Sequence, residues 1–201
     1  MTSARANERG PITNREMNMS VLEMDPARLP APARIVFDKL ALKRRALGEH
    51  FGGPYVALFN HPALAERVEA LGFFLKFNGV LPRPVYQFIV LSVARATGAA
   101  FEWHDHVAHA LAAGLPQSLV DGIAAGASAN LPEPFGLLRD VLAKTMTWQP
   151  VPDELQERAA AKWGKDGLVE IVVVSGFYQM FATINQGFNI QPPDAARPVD
   201  D

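Results

Sequence analysis

The feature that most limits the fold of this chain is a series of apolar segments with helical spacing, bounded by proline or glycine. Apolar residues that recur every three to four positions predict amphipathic α-helices, and proline at the start with glycine after the end is their usual punctuation. The segments that fit are 35–47, 62–79, 81–98, 101–114, 116–126, 134–148, 152–164 and a last one from residue 167. No segment alternates strongly enough to predict a strand, so we expect an all-α, multi-helix bundle.

The last segment, LVEIVVVSGFYQMFATI (168–184), is apolar nearly all round. Such a helix is buried in a core or in a subunit interface. Its β-branched run IVVVS (171–175) leaves a strand as the alternative interpretation. Glu170 and Gln179 interrupt the segment, which is also short for a bilayer, so we expect no membrane span.

Composition narrows the class of protein. The 201 residues suit a single domain, and the net charge of −2 gives no electrostatic reason to bind nucleic acid or an anionic membrane. The chain has no cysteine, which excludes disulfides, thiolate metal ligands and thiol redox chemistry within it. Residues 1–20 carry charges but no apolar run of the kind that a secretory signal needs, so we expect a cytoplasmic location.

Both terminal segments lack a sustained hydrophobic period. Residues 1–33 are polar at first and then rich in proline, alanine and arginine, and residues 191–201 are similarly unsuited to fold alone. We therefore expect a mobile or extended N-terminal arm over 1–33, one all-helical domain over 34–190 and a flexible tail over 191–201.

The stretch FEWHDHVAHALAAGLP (101–116) concentrates three histidines and two acidic residues. On a helix, Glu102, His106 and His109 share one narrow stripe, whereas His104 points to the opposite side. Nearly two turns, about 10 Å, separate Glu102 from His109, which is too far for three ligands to converge on one metal ion. We therefore expect no metal site here.

Spacing alone leaves two interpretations of Glu102 and His106. In the first they are a structural pair at i and i+4, with Glu102 favouring the helix N-terminus and Trp103 filling core. In the second they are an acid–base pair, in which the carboxylate orients the imidazole and raises its pKa. His106 then transfers a proton near neutral pH.

Two motifs in sequence order resemble a known family. LPRPVYQFIVLSVAR (81–95) followed by FEWHDHVAHALAAG (101–114) is similar to the carboxymuconolactone decarboxylase family, which is related to alkyl hydroperoxidase D. The resemblance extends over about residues 35–190, with the EWxxH block as its most specific part, and is to the longer, cysteine-free branch. It implies an all-helical fold that binds a small-molecule substrate and assembles as a homo-oligomer, a trimer or hexamer.

The functional residues of the family can be compared with this sequence position by position. The hydroperoxidase branch uses Cys-x-x-Cys-x-x-x-His, and Ala99 and Glu102 stand at the two cysteine positions here, so dithiol peroxidase activity is excluded. The decarboxylase branch has Glu102, Trp103 and His106 in its EWxxH motif, and all three are present. Its members usually carry glutamate where this chain has Gln87.

These matches define an expected site. Glu102 and His106 are the expected catalytic residues, and Tyr86 and Tyr178 are expected to be core or pocket wall. The expected substrate-binding residues are Gln87, His109, Trp103, His61 and Arg83. Of these, His109 replaces a residue that is normally apolar in the family, and His61 precedes a proline in a position that favours a helix N-cap.

The implied function is that of a cofactor-free decarboxylase or lyase acting on a small lactone or organic acid. In the family's reaction a lactone dicarboxylate loses CO₂, and the enolate-like anion left behind is stabilised by cationic or hydrogen-bonding groups and then protonated. The alternative is a member that keeps the fold and only binds a ligand, because Gln87 cannot exchange a proton as an acid does.

Overall fold

A computed structural model describes residues 21–47, 51–126 and 131–192. These residues form eight α-helices and no strand, which confirms the all-α prediction. The helices are α1 (Ala31–Arg45), α2 (Pro54–Leu58), α3 (Pro62–Phe73), α4 (Arg83–Thr97), α5 (Ala100–Ala112), α6 (Gln117–Ala124), α7 (Phe135–Thr145) and α8 (Asp153–Gly187). A 3₁₀ turn (Pro26–Arg28) precedes α1, and a π-helical turn (Phe74–Asn78) follows α3.

The first helix begins earlier than the sequence suggested. α1 starts at Ala31, within the segment predicted as an arm, because Pro30 and Pro32 lie where a helix needs no N–H donor. Leu29, just before it, is buried in the core. The division into arm, domain and tail otherwise stays a prediction, and residues 1–20 and 193–201 lie outside the described part of the chain.

The long helix α8 contains a kink at Gly164. This glycine has φ 75° and ψ 168°, a conformation that residues with a Cβ rarely adopt. The two segments predicted on either side of this point, 152–164 and from 167, are therefore real but joined into one element. The strand alternative over 171–175 is wrong, since these residues lie inside α8.

α8 is also long and apolar enough to cross a membrane by length and composition, the one such helix in the described residues. Half of its most apolar window is buried inside the fold. Core helices of globular proteins pass the same test, so this is weak evidence for a membrane span.

The centre of the fold is α4, which packs against α5, α6, α7 and α8. Nine of its 15 residues are buried, including the unbroken run 85–91. A helix that is buried on every side normally presents only apolar residues. Tyr86 and Gln87 interrupt the apolar run with polar groups that must find partners inside the protein.

Glu170 of α8 fixes the connection between the π-helical turn and α4. Its carboxylate accepts hydrogen bonds from the backbone N–H of Val80 at 2.9 Å and of Leu81 at 3.2 Å. Gly79 allows this approach, because a Cβ there would lie 2.6 Å from Oε2 of Glu170. The contact sets the start of α4 relative to α8, and therefore helps to position Lys76 and Tyr86.

Candidate active site

A cavity of about 270 Å³ lies among α2, α5, α8 and the turn after α3. Aromatic rings form much of its wall, and several polar side chains project into it. The polar lining consists of Arg44, Tyr55, Lys76, Tyr86, Glu102, Asp105, His106 and Tyr178. A concave site with aromatic walls and convergent polar groups is the usual form of a small-molecule site, and this one is more polar than most.

α5 contributes Glu102 and His106 to this cavity from its buried face. The two residues are 3% and 6% exposed, whereas His104 is exposed on the other side of the helix. The stripe predicted from helical spacing is therefore confirmed. His109 is half-buried, with its ring centred 5.8 Å from that of His106, and it stays outside the cavity lining.

Gln87 of α4, and not Glu102, orients the imidazole of His106. Oε1 of Gln87 lies 2.9 Å from Nδ1 of His106. Because an amide oxygen only accepts, Nδ1 carries the hydrogen, and Nε2 of the neutral ring is left with its lone pair. Nε2 contacts the hydroxyl of Tyr178 at 3.3 Å.

The environment of His106 favours the neutral ring. Burial lowers the pKa of His106 well below its usual value, and the positive charge of Lys76 lowers it further. This is opposite to the direction expected from a neighbouring carboxylate, because burial disfavours the charged ring and the nearby cations add to that effect. At neutral pH the imidazole is therefore uncharged, with the lone pair of Nε2 beside the hydroxyl of Tyr178.

Glu102 is perturbed in the other direction. Burial raises its pKa from 4.5 to about 7, although hydrogen bonds from the backbone and from Asn185 partly oppose this. Nδ2 of Asn185, on α8, donates to Oε2 of Glu102. The carboxyl group therefore exists in both protonated and ionised forms near neutral pH, as a proton donor requires.

Two tyrosines complete the polar centre. The hydroxyls of Tyr86 and Tyr178 are 2.7 Å apart, and the ring of Tyr178 stands nearly perpendicular to that of His106 at a centroid distance of 5.2 Å. Burial raises the pKa of both phenols, so both keep their protons at neutral pH. The sequence expectation of pocket wall is accurate for their position but omits these hydroxyl contacts.

Two buried cations line the cavity and were missed from the sequence. Arg44 and Lys76 are 6% and 7% exposed. Nε of Arg44 lies 3.3 Å from Oε1 of Glu69, which is itself buried, and its Nη2 donates to the hydroxyl of Tyr55 at 3.3 Å. The available signal was a charged residue inside an apolar run, as in GFFLKFNG (72–79), but helical spacing alone also allows such a lysine to face solvent.

None of the five predicted substrate-binding residues lines this cavity, although Gln87 contacts His106 and His109 lies beside its ring. Trp103 packs against a cluster of alanines and against the main core. Arg83 donates to the backbone oxygen of Lys76. His61 caps α3, where its Nδ1 accepts from the backbone N–H of Leu64 at 3.3 Å. Their roles in substrate binding stay predictions.

The described residues contain no cluster of side chains that is a candidate metal site. No group of three or more histidine, aspartate or glutamate side chains within them is arranged to hold a metal ion. Tyr86, Tyr178, His106 and Gln87 are joined by hydrogen bonds, which suits proton transfer between organic groups.

Fold and site together define an all-α protein in which a buried carboxyl group and a neutral imidazole face one cavity. Residues 62–129, about a third of the chain, match the model of the Carboxymuconolactone decarboxylase family. This match confirms the resemblance over α3 to α6, which lie within the matched residues. No curated protein and no solved structure matches the chain.

The matched segment contains part of the site. Lys76, Gln87, Glu102 and His106 lie within it, whereas the cavity residues contributed by α1 and α8 lie outside it. The family match therefore covers Glu102 and His106, and the part of the wall from α1, α2 and α8 is described by the structure alone.

Proposed function

We propose that this protein is a cofactor-free enzyme of the decarboxylase or lyase type, acting on a small organic acid or lactone by proton transfer. The observation that carries the proposal is that Glu102 and His106 line one cavity with their protonation shifted in opposite directions. A carboxyl group that retains its proton and an imidazole that lacks one provide an acid and a base at the same pH.

The cavity wall supports an anionic substrate. Arg44 and Lys76 supply positive charge in a buried setting, where electrostatic interactions are stronger than in water. The volume of about 270 Å³ is near the lower end of the range for ligand sites, which favours a small molecule.

The proposed reaction uses these groups in sequence. Loss of CO₂ breaks a carbon–carbon bond and leaves the electron pair on the substrate as an enolate-like anion. The cations stabilise this charge, and protonated Glu102 donates the proton that forms the new carbon–hydrogen bond. Water returns a proton to Glu102 before the next turnover, and His106 serves as the base where a step begins with proton removal.

The test is an assay of the purified protein with carboxymuconolactone and related lactones, in which product and CO₂ are measured. We expect turnover by the wild type and a loss of about 10²- to 10⁴-fold in kcat for Glu102→Gln and His106→Ala. His104→Ala, on the exposed side of the same helix, is the matched control and should retain activity. Unchanged turnover in His106→Ala would contradict the residue assignment.

A ligand-binding protein without catalysis is the second candidate. Gln87 favours it, because the amide that contacts His106 cannot exchange a proton. Saturable thermal stabilisation by one of the same lactones, with no product formed on prolonged incubation, would support this candidate over the enzyme.

We also propose that the chain assembles as a trimer or hexamer. Val169, Val172 and Val173 of α8 and Leu71 of α3 are exposed, and Val173 and Leu71 line one surface groove, which leaves apolar surface open on the single chain. Covering such a surface favours association. Light scattering should give three or six times the chain mass of 21.9 kDa, and a monomer would contradict the proposal.

A further inference from the structure

We propose that Tyr178 is a further catalytic residue, whose hydroxyl passes a proton between a molecule bound in the cavity and Nε2 of His106. This inference rests on the proposed function, because it concerns how His106 exchanges a proton with its substrate. It rests on a chain of hydrogen bonds in which the chemistry of the end group determines the donor and the acceptor of each bond.

Gln87 sets the direction at one end of the chain. Its Oε1 accepts from Nδ1 of His106 at 2.9 Å, so the hydrogen of the neutral ring resides on Nδ1. Nε2 then presents a lone pair and needs a donor. Oδ2 of Asp105 lies 3.7 Å from Nε2, which is too far for a hydrogen bond, and the positive charges of Lys76 and Arg44 act on the ring from the same cavity.

Tyr178 is the donor that Nε2 contacts. Its hydroxyl oxygen lies 3.3 Å from Nε2 and 2.7 Å from the hydroxyl of Tyr86. A hydroxyl has one hydrogen, so Tyr178 donates to His106 and receives from Tyr86. The chain therefore runs from Tyr86 through Tyr178 and His106 to Gln87.

The residue that carries this hydroxyl belongs to the cavity wall. Tyr178 and His106 both line the cavity, although their side chains are almost completely buried. Their rings meet at 87°, which holds the hydroxyl beside Nε2. A contact of 3.3 Å is long for a hydroxyl donor, and catalytic hydrogen bonds of this kind shorten once the substrate is bound.

The proton transfer balances without a co-reactant. An O–H or C–H bond of the bound molecule breaks, and its proton forms a new O–H bond on Tyr178. The original O–H bond of Tyr178 breaks at the same time, and that proton forms an N–H bond at Nε2 of His106. The electron pair stays on the bound molecule, and burial of the resulting imidazolium favours the return transfer.

The first test is the kinetics of Tyr178→Phe, which removes only the hydroxyl. We expect kcat to fall by about 10²-fold with little change in KM, because the ring that shapes the cavity remains. Tyr86→Phe leaves the Tyr178–His106 contact in place and should lose less. Combining Tyr178→Phe with His106→Ala should cause no loss beyond that of His106→Ala, since both act on one proton path.

The second test is independent of turnover. In protein labelled with ¹⁵N-histidine, Tyr178→Phe should shift the Nε2 resonance of His106, whereas the Nδ1 proton bonded to Gln87 should remain. An Nε2 resonance identical in the two proteins would overturn the hydrogen-bond chain.

The two proposals fail in different ways. Wild-type turnover together with normal kcat in Tyr178→Phe overturns the role of Tyr178 and leaves the proposed function intact. Absence of turnover from the wild type contradicts the proposed function itself, and with it any proton transfer through Tyr178.

Discussion

Oε1 of Gln87 accepts a hydrogen bond from Nδ1 of His106 at 2.9 Å, so an amide on the central helix holds the imidazole of α5. Because Nδ1 is held by this hydrogen bond, Nε2 is the ring nitrogen that contacts Tyr178. The second amide atom, Nε2 of Gln87, is buried and has no hydrogen-bond partner among the described residues. The substitution Gln87→Glu, which replaces this nitrogen by oxygen, therefore breaks no hydrogen bond seen in the structure.

Gln87→Glu should raise the pKa of His106. The new carboxylate would lie beside Nδ1 in a buried setting, where it stabilises the imidazolium and opposes the effect of burial on the ring. An NMR titration of the ring resonances measures the change, and the resonances of exposed His104 serve as an internal control. A pKa that stays equal or falls would contradict the contact.

Glu102→Gln should change how stability depends on pH. The pKa of Glu102 is raised in the folded protein to about 7, so the folded state keeps a proton that the unfolded chain releases from about pH 4.5. Its stabilising contribution is therefore complete below that pH and lost as the pH rises through 7.

The Glu102→Gln variant lacks this dependence of stability on pH. Relative to the wild type, its free energy of unfolding should rise between pH 4.5 and pH 8, by on the order of 3 kcal/mol. Urea unfolding of both proteins at pH 4.5 and pH 8 measures the difference. A constant offset between the two proteins would show that Glu102 is not perturbed.

Asn185→Ala should raise the pKa of Glu102 further. The side chain of Asn185 donates to Oε2 of Glu102 and thereby favours the ionised carboxylate, so its removal leaves burial less opposed. Titration of the carboxyl carbon in ¹³C-glutamate-labelled protein measures this shift. Gln186→Ala is the matched control, because Gln186 is exposed and donates to the backbone of Thr97. Equal effects of the two substitutions would contradict the assignment.

Glu69→Gln should destabilise the protein much more than Glu66→Gln. Glu69 is 1% exposed and pairs with buried Arg44, whereas Glu66 pairs with Lys39 on the surface at 3.1 Å. Breaking a buried pair costs about 3–5 kcal/mol, and an exposed pair contributes at most about 1 kcal/mol.

Urea unfolding of the two variants measures the contrast. Similar losses of stability would mean that the charge of Glu69 is not needed to keep Arg44 inside the cavity wall. The comparison is matched, because both substitutions neutralise a glutamate of α3 that pairs with a cation of α1.

Much of the fold was determined by the sequence itself. Helical periodicity with proline and glycine at the boundaries predicts the helices, and these signals are local, so no tertiary contact is needed to read them. The same periodicity places Glu102 and His106 on one face of α5 and His104 on the other, because the angle between positions on a helix is fixed by its geometry.

The chemistry of the site was decided by the tertiary structure. His106 meets Tyr178 from 72 positions away, and Glu102 meets Asn185 from 83 positions away, through the packing of α8 against α5. Local periodicity also gave no sign that Arg44 and Lys76 line the cavity or that Trp103 does not line it. The pKa of a side chain depends on desolvation by burial and on charges within a few ångströms. Both the buried surroundings and the charges come from helices that are distant in sequence. The direction in which each pKa moves is therefore a property of the assembled fold.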